Sequence, residues 1–281
     1  MTRTASPSSA PSPSTPSSSS APSSSSLGPV TAPAPPAHVA VVMDGNRRWA
    51  TQHGLTPTEG YDAGTRALRS LIGHALAAGI PYLTVYALST ENLQRDPDEV
   101  GGLMSVLADG FARHRTELEA LGIRLHIAGR LQGLPVRLRS ELPAPQPSDP
   151  SDPSGPSGPS GPSDSENTAL TLTLTICVGY SGRAEIAAAA QEMARDAVEG
   201  NLDPTAVDEY TFGHYLHRPE LPDVDLLIRT AGEQRLSNFL LWQTAYAELV
   251  FTEKLWPDFG ESDFHHALKT FAGRTRRFGI S

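Results

Sequence analysis

The sequence predicts an α/β protein: a single domain with a central parallel sheet of about six strands flanked by helices. Three observations carry that expectation. Short apolar, β-branched runs alternate with stretches of helical period, the pattern of repeated β-α units. Three of those runs stop abruptly in dense polar clusters, at 44–49, 89–95 and 229–238. Two segments of biased composition can be set aside, which leaves about 220 residues, enough for one well-packed domain.

The first biased segment is residues 1–36, almost wholly Ser, Pro, Ala and Thr, with one charge at Arg3. It cannot bury a core and is expected to be a disordered tail. The second, at about 143–167, repeats Ser-Gly-Pro and carries Asp149, Asp152, Asp164 and Glu166 without a basic residue. It is expected to be a flexible surface insertion within a domain spanning 37–281, because a Pro-Gly repeat of that length does not pack inside a compact unit.

Taken in order, Val39 to Met43 reads as a buried strand ending at Asp44-Gly45, with the residues after it opening a helix. Ala63 to Ala78 has helical period, with Ala67, Leu68, Leu71, Ile72, Ala75 and Leu76 on one face and Gly79 as its C-terminal cap. Tyr82 to Leu88 is a second strand. Asp96 then caps a helix with Pro97 in its first turn and Glu99 completing a capping box, and Val100, Leu103, Met104, Leu107 and Phe111 form its apolar face. Ile123–Ala128 and Leu170–Val178 are the third and fourth strands, and an Ala-rich helix follows from Arg183 to Val198. A short helical piece lies near 208–216, and Val224–Ile228 is the fifth strand. A helix is expected over Phe239–Tyr246, then a sixth strand at Glu248–Phe251, and a last helix capped by Ser262 with Phe264, Leu268 and Phe271 on one side.

The formal net charge of -9, to which the insertion contributes four acidic residues, argues against nucleic acid as a partner, although local arginine clusters can still bind phosphates. Cys177 is the single cysteine, which excludes an intramolecular disulfide and fits a reducing compartment. No apolar run of about eighteen residues and no apolar signal core is present. A soluble, cytoplasmic protein is expected, with peripheral membrane contact left open.

In a parallel sheet the three polar clusters meet along one edge, where open α/β sheets bind ligands. Arg48, Arg95, Arg229 and Arg235 are candidate phosphate clamps there, with Ser89, Ser237 and backbone amides as further donors. Each arginine alone could equally be a solvated surface cation; the reading rests on their arrival at one edge. That supply of charge suits two diphosphates. Asp44 and Glu248 are the carboxylates expected to hold a hard divalent ion such as Mg²⁺. The apolar face after Asp96 is either core or the lining of a hydrocarbon pocket beneath the phosphates.

These clusters, in this order, resemble the cis-prenyltransferases, the isoprenyl transferase family that includes undecaprenyl diphosphate synthase. The residues that carry the resemblance are H-V-A-V-V-M-D-G-N-R-R-W-A at 38–50, S-T-E-N-L-Q-R at 89–95, the run from Ile228 to Leu249, W-P-D-F at 256–259 and R-R-F-G at 276–279. The resemblance implies a Mg²⁺-dependent, head-to-tail condensation of isopentenyl diphosphate with an allylic diphosphate, making Z-polyprenyl diphosphates. It implies that Asp44 is the catalytic carboxylate and metal ligand, that Gly45, Asn46, Arg47, Arg48 and Trp49 bind the allylic diphosphate, and that Ser89, Thr90, Glu91, Leu93 and Arg95 add to the substrate site. Arg229, Arg235, Leu236 and Ser237 match the isopentenyl diphosphate site and Glu248 its metal-associated carboxylate. Asn92 matches a residue described as proton acceptor, although a neutral carboxamide is a poor base and suits orientation of Glu91 or a phosphate better. A homodimer is implied, with Arg277 and Gly279 acting across the interface, and a lipid product would account for peripheral membrane contact.

The chain departs from the family pattern at three places. Pro57 and Tyr61 stand where an arginine and a histidine are usual, beside Glu59 and Asp62, with Arg47 and Arg66 as the basic residues available to compensate. Leu93 replaces a tryptophan, a change associated with short products. Ala231 replaces a glycine, which is tolerable if its φ is negative. A catalytically weak paralogue serving as a partner subunit is the alternative from another class, and a phosphate-ester hydrolase is a further one that leaves the apolar helix unexplained.

Overall fold

The protein, described here by a computed structural model, is defined over residues 34–132, 134–143 and 171–274. The tail up to residue 33, the insertion beyond residue 143 and the basic end from residue 275, with Arg277 and Gly279, lie outside the described residues.

Six strands form one all-parallel sheet in the order β3-β4-β2-β1-β5-β6. They are β1 (His38–Val42), β2 (Tyr82–Ser89), β3 (Ile123–Ala128), β4 (Leu172–Tyr180), β5 (Leu226–Arg229) and β6 (Glu248–Phe251). β1 is central and wholly buried, and its alternation divides the two faces. Val39 and Val41 join the larger core, whereas Ala40 and Val42 join the second. From β1 the chain moves to β2 on one side, and from β5 to β6 on the other. The β1/β5 crevice is therefore the point where strand order reverses, the place at which open α/β sheets take ligands.

Seven α-helices cover the sheet among the described residues: α1 (Asn46–Gln52), α2 (Pro57–Ala77), α3 (Pro97–Ala120), α4 (Val136–Glu141), α5 (Gly182–Glu199), α6 (Glu209–Gly213) and α7 (Glu261–Ala272). α2 begins at Pro57 rather than at Ala63, because Thr56 and Glu59 close a reciprocal capping box ahead of the apolar period. α3 buries Leu103, Met104, Ala108 and Phe111, with Val100 and Leu107 packed beside them, so the expected apolar face is core-directed. α7 starts after Gly260 and not at Ser262, since the Asp263 carboxylate accepts from Gly260 N–H.

The helix expected over Phe239–Tyr246 does not form; the segment is a series of turns. Its backbone is left-handed at Ser237, Asn238 and Leu240, with φ of 48°, 66° and 45°. Tertiary contact overrides the local pattern: Phe239 is fully buried and stacks on Tyr86 at 4.5 Å, and Leu240 enters the same second core. Ala231 also has positive φ, at 72°, so the condition under which alanine would replace glycine there without strain is not met.

Two glycines of α2 set where α1 lies. A Cβ on Gly60 would stand 2.5 Å from Asn46 O, and one on Gly64 would stand 2.1 Å from Asn46 Oδ1. α1 thus packs backbone to backbone on α2, and the fully buried Trp256 reinforces the contact by donating its indole N–H to Gly64 O at 2.8 Å. Gly73 on the same helix has open space around its Cα. Two substitutions in one helix should therefore have opposite signs. Gly64→Ala should lower stability by about 1–3 kcal/mol through overpacking, and Gly73→Ala should raise it by about 0.5–1 kcal/mol through helix propensity, both read by denaturant unfolding.

Candidate active site

Asp44 lies two residues beyond the end of β1 and Arg229 is the last residue of β5, so the parallel register of these neighbours brings the two together across the crevice. Arg229 Nη2 is 3.0 Å from Asp44 Oδ2. Its other terminal nitrogen donates to Arg235 O at 2.5 Å and to Ser237 Oγ at 2.6 Å. Arg229 is only 3% exposed, which makes it a fixed guanidinium and not a solvated surface cation. Thr230 fixes the backbone beside it. Its hydroxyl accepts from Asp44 N–H at 2.9 Å and donates to Asp44 O at 2.7 Å.

The rest of the first cluster follows from the turn at Gly45, whose φ of 107° admits no ordinary side chain. That turn starts α1 immediately, with Asn46 as its first residue and Nδ2 donating to Met43 O at 3.1 Å. Arg48, one turn on from Asp44, holds Nη2 3.6 Å from Asp44 Oδ1 and donates Nη1 to Ala231 O at 3.0 Å. Glu233 faces both Arg48 and Arg235. Trp49 donates its indole N–H to Asp258 at 2.7 Å and stacks on His53 at 4.1 Å.

At the end of β2, Ser89 and Asn92 bond reciprocally. Ser89 N–H donates to Asn92 Oδ1, and Asn92 N–H donates to Ser89 Oγ, both at 3.1 Å. Thr90 precedes the 3₁₀ turn Glu91–Gln94, in which Leu93 is 40% exposed. Glu91 accepts from the Asn238 amide at 2.9 Å. Burial pushes the Glu91 carboxyl up, but the Asn238 amide, its own backbone N–H and the Ser89 and Thr90 hydroxyls outweigh it and hold the group below its ordinary value. Asn238 also binds Ser181 Oγ and accepts from Arg183 N–H, so it ties the third cluster to the second and to the start of α5. Arg95 and Arg47 both reach Glu99, at 3.1 and 3.2 Å. Each pair of clusters is thereby joined by side chains, and a single edge presents Asp44 with five arginines.

The family resemblance is met in the comparison with known proteins. A family model described as "Putative undecaprenyl diphosphate synthase" matches residues 42–147 and 162–279. The chain belongs to this prenyltransferase family. A trans,polycis-polyprenyl diphosphate synthase, (2Z,6E)-farnesyl diphosphate specific, from Thermobifida fusca is 49% identical over 87% of this chain and 80% of its own length. Decaprenyl diphosphate synthase from Mycobacterium tuberculosis is 42% identical over 87% of this chain and 77% of its own. Among solved structures, lavandulyl diphosphate synthase from Lavandula x intermedia, in complex with dimethylallyl diphosphate, superposes with a TM-score of 0.75 at 35% identity, covering 88% of this chain and 99% of that one.

Within one chain the prenyltransferase fold sets the two expected metal carboxylates apart. Glu248 opens β6 and is in register with Leu226 and, through it, with Val39. Asp44 lies five residues further on, roughly 16 Å away at the rise of a strand. Glu248 instead pairs with Arg274 at 2.9 Å. Leu236 also stands apart from the polar edge, packed against the second core. Arg66 pairs with Asp62 on its own helix. Thr230, Glu233 and Asn238 were visible in the third cluster, yet no property of their residue types announces their partners. Glu99 reads from sequence as a helix cap only.

Thr230 offers a direct check on the support of Asp44. Thr230→Val should cost about 1 kcal/mol of stability by deleting both hydroxyl bonds to Asp44, whose N–H and C=O keep only Val42 O and Trp256 N–H as backbone partners. Turnover should fall with it, and Thr230→Ser should restore both; calorimetry and steady-state rates on the same preparations distinguish the outcomes.

Proposed function

We propose that the chain is an isoprenyl transferase that condenses isopentenyl diphosphate with an allylic diphosphate in the cis sense, releasing a Z-prenyl diphosphate. The observation that carries this reading is the Asp44–Arg229 pair, flanked by Arg48, at the reversal point of the sheet in a member of this family. In the reaction the allylic C–O bond breaks, the new C–C bond forms to the terminal carbon of isopentenyl diphosphate, and a proton leaves its C2.

Arg229, with Ser237 and Arg235, binds the isopentenyl diphosphate; the buried guanidinium supplies a fixed charge at no cost of reorganisation. Gly45, Asn46, Arg47, Arg48 and Trp49 take the allylic diphosphate at the start of α1, and Ser89, Thr90, Glu91, Leu93 and Arg95 complete the wall opposite. Asn92 Oδ1 accepts from Ser89 N–H. That bond supports an orienting role for Asn92, and the departing diphosphate is the better proton acceptor.

The residues present fit Mg²⁺ in one respect: Asp44 is a hard oxygen donor, 32% exposed in its side chain, at the diphosphate edge. No group of three His, Cys, Asp or Glu converges among the described residues, so such an ion would draw its other ligands from phosphate and water, as Mg²⁺ commonly does. When bound, it would neutralise charge on the departing diphosphate. A homodimer, a cytoplasmic location and peripheral contact with membranes through the lipid product belong to the same proposal. Among the described residues no helix is long and apolar enough to cross a membrane.

The test is incubation with Mg²⁺, labelled isopentenyl diphosphate and dimethylallyl, geranyl or farnesyl diphosphate, with chromatographic sizing of extracted products. Elongation of at least one primer is expected, and Asp44→Ala should lower kcat by at least ~10²–10³-fold while isopentenyl diphosphate still binds. Failure to elongate any primer would assign the chain instead to the role of a catalytically weak partner subunit.

A further inference from the structure

Glu99 and Glu59 occupy the same position, the third residue of their helices, and meet different ends. Glu59 folds back on Thr56 to close the capping box of α2. Glu99 leaves the cap of α3 to Asp96 alone, whose carboxylate accepts from the N–H groups of Asp98 and Glu99. Its own carboxylate turns away and collects three donors from three different places. Tyr61 OH on α2 donates to Oε1 at 2.8 Å, Arg95 Nη1 lies 3.1 Å from the same oxygen, and Arg47 Nη1 on α1 lies 3.2 Å from Oε2.

The burial gradient gives this cluster a direction. The Glu99 side chain is 12% exposed, whereas those of Arg95 and Arg47 are 40% and 54% exposed. The shielded end of each pair is therefore the carboxylate, and the accessible end is the guanidinium. A tie between α2 and α3 would need only the Tyr61 contact. The two arginines come from α1 and from the linker before α3, the segments that flank the diphosphate edge. Charge-assisted bonds to a desolvated carboxylate are the strong ones, and they immobilise long side chains that would otherwise lose rotamer freedom on binding an anion.

We propose that Glu99 is a positioning residue of the allylic subsite, and that Tyr61 is the neutral donor that keeps it aimed at Arg47 and Arg95. The inference rests on the transferase reading above. It gives a role to the departure at Tyr61 and to the compensating Arg47: the phenol donates to the carboxylate without adding charge, so Glu99 holds both guanidiniums. Burial and then the Glu99 hydrogen bond push the Tyr61 phenol up to about 12, which keeps it a donor across the working range of pH.

Steady-state kinetics of Glu99→Gln and Tyr61→Phe, with farnesyl and isopentenyl diphosphates varied separately, test this. The allylic KM should rise roughly tenfold in Glu99→Gln and roughly threefold in Tyr61→Phe, with the isopentenyl diphosphate KM held within about twofold. An allylic KM that is unchanged or lower in Glu99→Gln would overturn the proposal, since it would make the carboxylate a bystander or a mere repellent. Parallel shifts in both KM values would overturn it too, as the mark of a general structural tie. Should Glu99→Gln fail to fold, Tyr61→Phe, which deletes one hydroxyl, decides by the same criterion. Wild-type protein without turnover would sink the transferase reading itself; normal turnover with an unmoved allylic KM would sink this inference alone.

Discussion

The contact between Arg229 and Asp44 is the constraint on which the rest of the site depends. It closes the crevice between β1 and β5, where the sheet reverses its order, and it places a nearly inaccessible guanidinium beside a carboxylate that remains one-third exposed. A buried ion pair of this kind is poor evidence for stability, because desolvation offsets much of its attraction. Its value is positional. Arg229 is held at the same time by Arg235 O and Ser237 Oγ, so one side chain fixes both the end of β1 and the path of the loop after β5.

The charges of the edge are balanced in a way that bears on binding. Arg229 and Arg48 face Asp44, Arg48 and Arg235 face Glu233, and Arg47 and Arg95 face Glu99. Five cations thus share three carboxylates, and Glu91, bonded to Asn238 at the same edge, adds a fourth, which leaves an excess of one positive charge among these groups before any metal arrives. That excess draws diphosphates to the edge, and the carboxylates keep the guanidiniums from repelling one another apart in their absence. The arrangement makes the site rigid without making it as positive as its arginine content suggests.

The parallel sheet and the edge where the clusters meet were legible because the strands are short apolar runs and each cluster begins where such a run stops; the strand order was not. Periodicity also located the core faces of α2 and α3, through Leu71, Ile72, Leu103 and Met104. It failed where burial came from a distance. Phe239 and Leu240 suggested a helix, yet their apolar character serves a stacking contact with Tyr86 and the second core. Glu248 was grouped with Asp44 on residue type and resemblance, and β6 holds it at the other end of a strand from the edge that carries Asp44. The partners of Glu99 were invisible for a related reason, since a capping box and a cross-helix carboxylate share one sequence pattern.

The left-handed residues point to the same edge from another direction. Ala231, Ser237, Asn238 and Leu240 are the non-glycine residues with positive φ among the described residues, and all four lie within the eleven residues after β5. Such conformations cost an ordinary residue on the order of 1 kcal/mol each, and they persist only where surrounding contacts over-determine them. Here the contacts are identifiable. Ala231 N–H bonds to Lys254 O and its carbonyl takes Arg48, Ser237 takes Arg229, Asn238 bridges to Glu91 and Ser181, and Leu240 is buried. Three of these four strained positions are held by the polar network of the edge. Loss of that network would therefore release the loop as well as the charges, which makes the geometry of the site and the conformation of the segment after β5 a single cooperative property.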